Sequence, residues 1–281
     1  MPKISVLTVT GRDLYQAFQV VALQSQTFQD FEWVFVDDLY EERKDEIKEM
    51  VHGTFPLIHM PQKNIVDYFA VGAGHNDGFI QCRGELIFFM IDYCIPEVHC
   101  LERHWELYQK YPKAFFSGSC YEVPFLPQER PTSAILSLPN YRVNLFTSGY
   151  HHWHHTSDGI FSVEADGVQD WWGGRGDSAS MEAILKCNGI DEQIDGGHGY
   201  HDDDLAQRMR IAGYEYLIDT KAIVFSYPHT PGGGKKLLRS DLEQQYFKQV
   251  LIPERIKMGI YKANPHRNLA EEREQCLKQS A

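Results

Sequence analysis

Residues 4–38, ISVLTVTGRDLYQAFQVVALQSQTFQDFEWVFVDD, decide the fold class. Residues 4–9 are a short apolar run rich in β-branched side chains, and the run stops at Thr10-Gly11-Arg12. Apolar positions Leu14, Ala17, Phe18 and Val21 then recur at helical spacing across residues 13–25. Residues 31–36 are a second run with the composition of a buried strand, closed by Asp37-Asp38. Strand, helix, strand in that order is the unit from which parallel sheets are assembled.

The pattern continues outward. Residues 41–52 read as a charged helix, 57–60 as a third strand, and 66–82 as a helix whose Ala70, Gly72, Ala73 and Gly74 suit close packing. Residues 86–91 are continuously apolar and end at Asp92. This βαβαβαβ order predicts an α/β fold, a mostly parallel sheet with helices on both faces. Ligands of such sheets bind beyond the carboxyl ends of the strands. Thr8 to Arg12, Asp37-Asp38 and Asp92-Tyr93 all fall at those ends.

Further along, 96–111 predict a helix, 115–119 a strand, 181–187 and 203–212 helices, and 222–225 a strand. Residues 120–175, rich in Pro, Gly, Trp and His, show no readable periodicity. Pro231-Gly232-Gly233-Gly234-Lys235-Lys236 reads as a hinge or lid, and 241–257 and 268–279 as closing helices.

Composition narrows the function classes. The 281 residues carry 27 Lys+Arg against 39 Asp+Glu, a formal net charge of −12, which argues against nucleic-acid binding through bulk charge. Residues 187–207 hold Asp191, Glu192, Asp195, Asp202, Asp203 and Asp204 with no Lys or Arg, so half of that excess sits in one segment. No run approaches the ~18 apolar residues of a membrane span. The N-terminus enters a strand-like run without a signal-peptide layout. The six cysteines are scattered with no CxxC pair, so the expectation is reduced thiols in a cytoplasmic protein.

Several segments, in order, resemble family-2 glycosyltransferases of the GT-A (Rossmann-like) fold. They are Ile4 to Arg12, Gln24 to Asp38, His75-Asn76-Asp77-Gly78, Gly84 to Asp92, Gly189-Ile190-Asp191-Glu192, and Gly199 to Arg208. The resemblance spans roughly residues 3–230. It implies an inverting transferase that uses a nucleotide sugar, a UDP-sugar first, and irregular acceptor-side loops with C-terminal helices around the sheet. It also implies a domain of residues 1–230, divided into a nucleotide-binding half (1–95) and an acceptor-binding half (96–230), followed by a lid and C-terminal helices (231–281).

The resemblance assigns further roles. Asp37 and Asp38 stand where the family reads the nucleobase, and Asn76 matches a family Asn near the donor. Thr8, Thr10 and Arg12, at the neighbouring strand end, are candidates to contact base, ribose or phosphate, with turn or capping chemistry as the alternative for these strand-end residues. Asp92 stands where the family carries its DxD metal motif, implying a divalent metal (Mn²⁺ or Mg²⁺) with His229 as a further ligand. Here the chain departs from the pattern, because Ile91-Asp92-Tyr93-Cys94 keeps only one carboxylate. An inverting transfer needs a base for the acceptor hydroxyl. Asp202 matches the family's base, and a one-residue slip selects Asp203 instead. Acids in a first helical turn also serve the helix dipole, and Asp204 with Arg208 reads as an i,i+4 pair. Trp171 and Trp172 suit stacking against an acceptor sugar or base, with core packing as the alternative. His151 to His155, which point in diverging directions on any regular element, read as an acceptor-side loop rather than a metal site.

Two other function classes stand beside this one. A catalytically silent nucleotide-sugar-binding protein is supported by the incomplete DxD. A Rossmann oxidoreductase is disfavoured, because no GxGxxG follows the first strand. The acceptor stays open among a glycan, a lipid-linked sugar, a protein and a modified nucleobase.

Overall fold

Alternation within the first strand, β1 (Ile4–Thr10), separates the two layers of the core. Ile4 and Val6 face one side of the sheet and Leu7 the other, as period-two geometry requires. The computed structural model describes residues 1–13, 15–63, 70–122, 153–155, 160–163, 175–196, 199–228 and 239–279. From β1 the chain runs through α1 (Gln16–Gln24), β2 (Phe31–Asp37), α2 (Tyr40–Val51), β3 (Leu57–Pro61), α3 (Val71–Gln81) and β4 (Leu86–Met90). The expected βαβαβαβ order is therefore present.

Next come β5 (Cys94–Pro96), α4 (Cys100–Lys110), β6 (Ala114–Glu122), β7 (Trp153–His155), β8 (Ile160–Val163), β9 (Arg175–Ser180) and α5 (Met181–Lys186). Then follow α6 (His201–Ile211), β10 (Glu215–Ser226), α7 (Asp241–Tyr246), a π-helical turn Phe247–Leu251, α8 (Ile252–Met258) and α9 (Leu269–Gln279).

The described strands join in one sheet of order β3-β2-β1-β4-β9-β6-β10-β8-β7, with β5 added against the end of β10. Strands β3, β2, β1 and β4 are parallel; β9 runs antiparallel between β4 and β6, and β10 is again parallel to β6. The sheet is mixed, and the antiparallel β9 is, with β5, β7 and β8, among the elements that periodicity missed. Its six residues, Arg-Gly-Asp-Ser-Ala-Ser, contain no large apolar side chain, so no hydrophobic run marked it. The strand expected at 222–225 is the last third of the twelve-residue β10, which is bulged between Ile218 and Ile223. The helix expected over 66–82 is described from Val71, and the one over 96–111 starts only at Cys100 because β5 takes Cys94–Pro96.

One face of the sheet packs Val34, Val36, Ile87 and Phe89 with α3, α5 and α6; the other packs Trp33, Phe35, Phe88 and Leu101 with α1, α2 and α4. Glycines bring α3 down onto β1: a Cβ at Gly74 would stand 2.6 Å from Val9 Cγ1. Among the described residues no helix is long and apolar enough to cross a membrane. All six cysteines are free.

Candidate donor site at the carboxyl ends of the strands

Strands β1 and β4 end side by side because they pair in parallel register, Ile4 to Leu86 through Leu7 to Phe89. The turn after β1 therefore meets the residues after β4. Thr10 Oγ1 donates to Asp92 Oδ2 at 2.7 Å and accepts from the Arg12 backbone N–H at 3.0 Å. The Arg12 guanidinium closes on both carboxylate oxygens of Asp92, with Nε at 2.8 Å from Oδ2. This fork-on-carboxylate geometry is the strongest an arginine makes. Asp92 is 2% exposed, so the pair is held away from bulk water.

Tyr93, the next residue, presents its ring to two cations. Arg12 Cζ lies 5.5 Å and Arg175 Cζ 5.9 Å from the ring centroid, within cation–π range. Arg175 opens β9, its backbone in register with Met90, and its side chain is exposed while the ring is buried. It also hydrogen-bonds the phenol, whose pKa burial pushes up to about 12.

The neighbouring strand end is built from a second clamped acid. Asp37 is fully buried; Arg43 Nε and Nη2 each reach one of its oxygens at 2.7 Å, His59 Nε2 stands at 2.9 Å, and the Leu39 N–H donates at 2.8 Å. Burial alone would raise this carboxyl, but the His59 and Arg43 hydrogen bonds outweigh it and hold it below its ordinary range. Arg43 Nη1 also donates to the Arg12 carbonyl at 2.9 Å, which ties the two strand ends together. Asp38 is half-buried at the rim, its N–H donating to the Thr10 carbonyl at 3.0 Å. Thr8 turns inward instead, its hydroxyl accepting from Trp33 Nε1 at 3.0 Å.

The acidic segment arrives from the opposite side. β10 is parallel to β6 and follows α6, so the N-terminus of α6 lies at the same edge of the sheet as the ends of β1 and β4. Most of the segment's acids are structural. Asp191 pairs with Arg255; Asp204 takes Arg208 Nε at 2.7 Å, and Arg208 in turn donates to the carbonyls of Cys187 and Gly189. Asp195 caps α3, accepting from the backbone N–H of Gly72 at 2.6 Å and Ala73 at 3.0 Å, and from His201 Nε2 at 3.1 Å. Asn76 is buried and holds the Ile190 N–H and C=O and the Glu192 carboxylate. It braces the acidic segment from α3.

Asp202 and Asp203 are the half-buried acids of the first turn of α6. Burial raises the Asp202 carboxyl above its ordinary value, with His201, two backbone N–H groups and Arg175 pulling the other way. His201 itself is raised: burial would lower it, but Asp195 more than compensates. The Arg175 charge thus acts on both Tyr93, just after β4, and Asp202, in the first turn of α6. No motif reading finds Arg175, because a lone arginine between glycines carries no pattern; Arg43 and His59 belong to no motif either, and the capping role of Asp195 was not legible.

A resident metal does not fit these residues as they stand. Among the described residues no three His, Cys, Asp or Glu groups come together to hold an ion. Both oxygens of Asp92 are engaged by Arg12, and the Cys94 thiol is pushed well up by burial, which keeps it protonated. His229, Trp171 and Trp172 lie outside the described residues, as do His151, His152 and 231–238.

The fold is that of the GT-A glycosyltransferases. A structure of S. aureus TarS superposes with a TM-score of 0.64 at 14% identity, over 99% of this chain and 42% of TarS. TarS 1–349 in complex with UDP-GlcNAc gives 0.62 at 12% identity, covering 99% of this chain and 71% of that one. GalNAc-T7 with UDP, GalNAc and Mn²⁺ gives 0.64 at 13% identity, covering 98% and 55%. This chain thus spans less than half of the TarS polypeptide. No protein-family model and no curated protein sequence matches it.

Proposed function

We propose that the chain is an inverting glycosyltransferase that moves a sugar from a nucleotide-sugar donor, a UDP-sugar first, to an acceptor hydroxyl. The observation that carries this reading is the cluster Thr10–Arg12–Asp92–Tyr93–Arg175 facing the acidic start of α6, on a fold whose solved examples hold UDP-GlcNAc or UDP with GalNAc. The donor lies over the ends of β1, β2 and β4. Asp38 faces it directly, while Thr10, Asp37, Thr8 and Asn76 serve by fixing the strand ends and the acidic segment.

In the transfer, the acceptor oxygen bonds to the anomeric carbon as the bond from that carbon to the β-phosphate oxygen breaks. The bonding pair leaves with the phosphate, and the acceptor's proton passes to the Asp202 carboxylate. A raised pKa suits Asp202 to this work, because a stronger base takes the proton more readily. Asp203 is the alternative base one residue on. A divalent ion, if it enters, must displace Arg12 from Asp92, and His229 remains its second proposed ligand. Trp171 and Trp172 remain the proposed acceptor platform, and the acceptor a glycan, lipid-linked sugar, protein or modified nucleobase. The free cysteines fit a cytoplasmic setting.

The second reading, a silent nucleotide-sugar-binding protein, is favoured by the single carboxylate at the DxD position. Calorimetric titration with UDP, followed by donor-turnover assays with UDP-sugars, separates the two. UDP binding with turnover supports the enzyme, and binding without turnover of any donor supports the silent protein. Absence of binding to every nucleoside diphosphate removes both.

A further inference from the structure

We propose that Arg12 and Arg175, gathered around the ring of Tyr93, form the diphosphate seat of this protein and carry the leaving-group charge without a resident metal. The assignment rests on the proposed donor site and names the groups that hold its phosphates.

Three observations converge on it. First, the two guanidinium carbons stand 5.5 and 5.9 Å from one ring centroid, so the cations are no further apart than the sum of those distances. Two cations gathered at one ring bring the positive charge that a diphosphate requires. Second, the two are fixed by different means. Arg12 is forked onto Asp92, which Thr10 also holds, and Arg175 is anchored by the first backbone pairing of β9 and by the Tyr93 phenol. Preorganised donors of this kind stabilise charge without reorganising when it develops. Third, Arg175 is exposed at the site edge and its charge reaches Asp202, the proposed base. The breaking bond must lie between a base and the group that receives the electron pair, and the Arg175 charge acts on that base.

Tyr93 and Cys94 stand where a metal-dependent site needs further carboxylates. Tyr93 instead supplies a π-face that collects cations. The chemistry is consistent: a departing nucleoside diphosphate gains one negative charge as the bond from the anomeric carbon to the β-phosphate oxygen breaks. A fixed guanidinium therefore binds the transition state more tightly than the ground state.

The test is calorimetric titration of the full chain and its R175Q and R175K variants with UDP and with uridine, each in Mn²⁺ and in EDTA. R175Q is expected to weaken UDP by about tenfold or more, the scale of a lost charge-assisted contact, while uridine affinity stays within about twofold. R175K, which keeps a cation but not the fork, should fall between. EDTA should change wild-type UDP affinity by less than about threefold. UDP affinity unchanged in R175Q, an equal loss of uridine and UDP, or EDTA abolishing wild-type UDP binding would each overturn the seat. Failure of the wild type to bind UDP at all overturns instead the donor reading beneath it. The chelation arm needs no variant, so the proposal stays exposed even if R175Q does not fold.

Discussion

Asp37 and Asp202 sit at the same edge of the sheet, one at the end of β2 and one in the first turn of α6, yet their surroundings drive them in opposite directions. Asp37 is gripped by Arg43 on both oxygens and by His59, and its carboxyl is held below the ordinary range. Asp202 has an imidazole and backbone N–H groups for near neighbours and a guanidinium further off; burial wins, and its carboxyl is raised. A buried acid locked in a guanidinium fork is a strut. One left with weaker partners keeps the raised carboxyl that the proposed base needs. By their guanidinium partners Asp92, Asp191 and Asp204 are struts like Asp37, which leaves Asp202 as the proposed base.

The sharpest way to break the comparison is Asp202→Asn. Loss of a general base lowers rate by about 10²–10⁴. Asp202→Asn should therefore reduce transfer by roughly 10³-fold while leaving UDP affinity within about twofold. Turnover assays paired with titration read both numbers, and a wild-type rate would remove Asp202 from the chemistry. Because its carboxyl must be ionised to accept a proton, activity should fall as pH drops through its raised value. The acid limb should therefore lie above that of an ordinary Asp.

Asp37 should answer through stability instead. Removing one partner of a buried ion pair leaves the other uncompensated, at a cost of about 3–5 kcal/mol. Asp37→Ala should lower the unfolding free energy read from urea melts by an amount on that scale, since Arg43, 7% exposed, would keep only the exposed Asp13 carboxylate at 3.5 Å. The double variant Asp37→Ala with Arg43→Met should recover much of the loss. If it recovers nothing, Asp37 is not acting through Arg43.

The same rule runs through the histidines. His201 keeps Asp195 and is raised, whereas His75, packed against Phe79 and Phe89, is lowered by burial to about 4. His104, fully buried with Nδ1 2.7 Å from Ser178 Oγ, is lowered by burial and the Arg103 charge to about 3. Unfolding frees His75 and His104 to protonate at their ordinary 6.5, so below that pH the unfolded chain binds more protons and stability falls as pH falls. His201, protonated in both states there, adds nothing to this slope. Each proton contributes about 1.4 kcal/mol per pH unit, so urea midpoints should drop from about pH 6.5 to pH 5. A variant His104→Gln should show roughly half the slope, and an unchanged slope would exclude His104 as one of the two groups.

Much of this molecule was legible before any coordinates, and what was not has a physical cause. β1, β2 and β4 announce themselves because they are buried on both faces, and apolar runs are then continuous. β9 is buried too, but through Gly, Ser and Ala against neighbours that supply the bulk, so hydropathy passes over it. Asp92, Asp37 and Asp202 could be picked out by position and motif. What sequence could not say was which acids are already paired. Arg12 lies 80 residues from Asp92, Arg255 64 residues from Asp191, and Asp195 123 residues from Gly72, and such partners are set by topology alone. Half the net charge lies in residues 187–207, and most of those acids brace the segment that carries one candidate base.

The smallest expected effect bears on the residue beside the base. Asp203 shares the first turn of α6 with Asp202, and both profit from the helix dipole. Successive helical residues point about 100° apart, so the two carboxylates cannot occupy one position against a single acceptor hydroxyl. Burial raises Asp202, and the His201 and Arg175 charges act on it, which favours Asp202 over Asp203 as the proposed base. Asp203→Asn should then change turnover by no more than about threefold, within 1 kcal/mol of transition-state energy. If Asp203→Asn instead matches the loss expected of Asp202→Asn while Asp202→Asn stays active, the base is one residue on. The rule that separates strut from base would then hold for Asp37 but fail at the helix start, where orientation rather than pairing would decide the role.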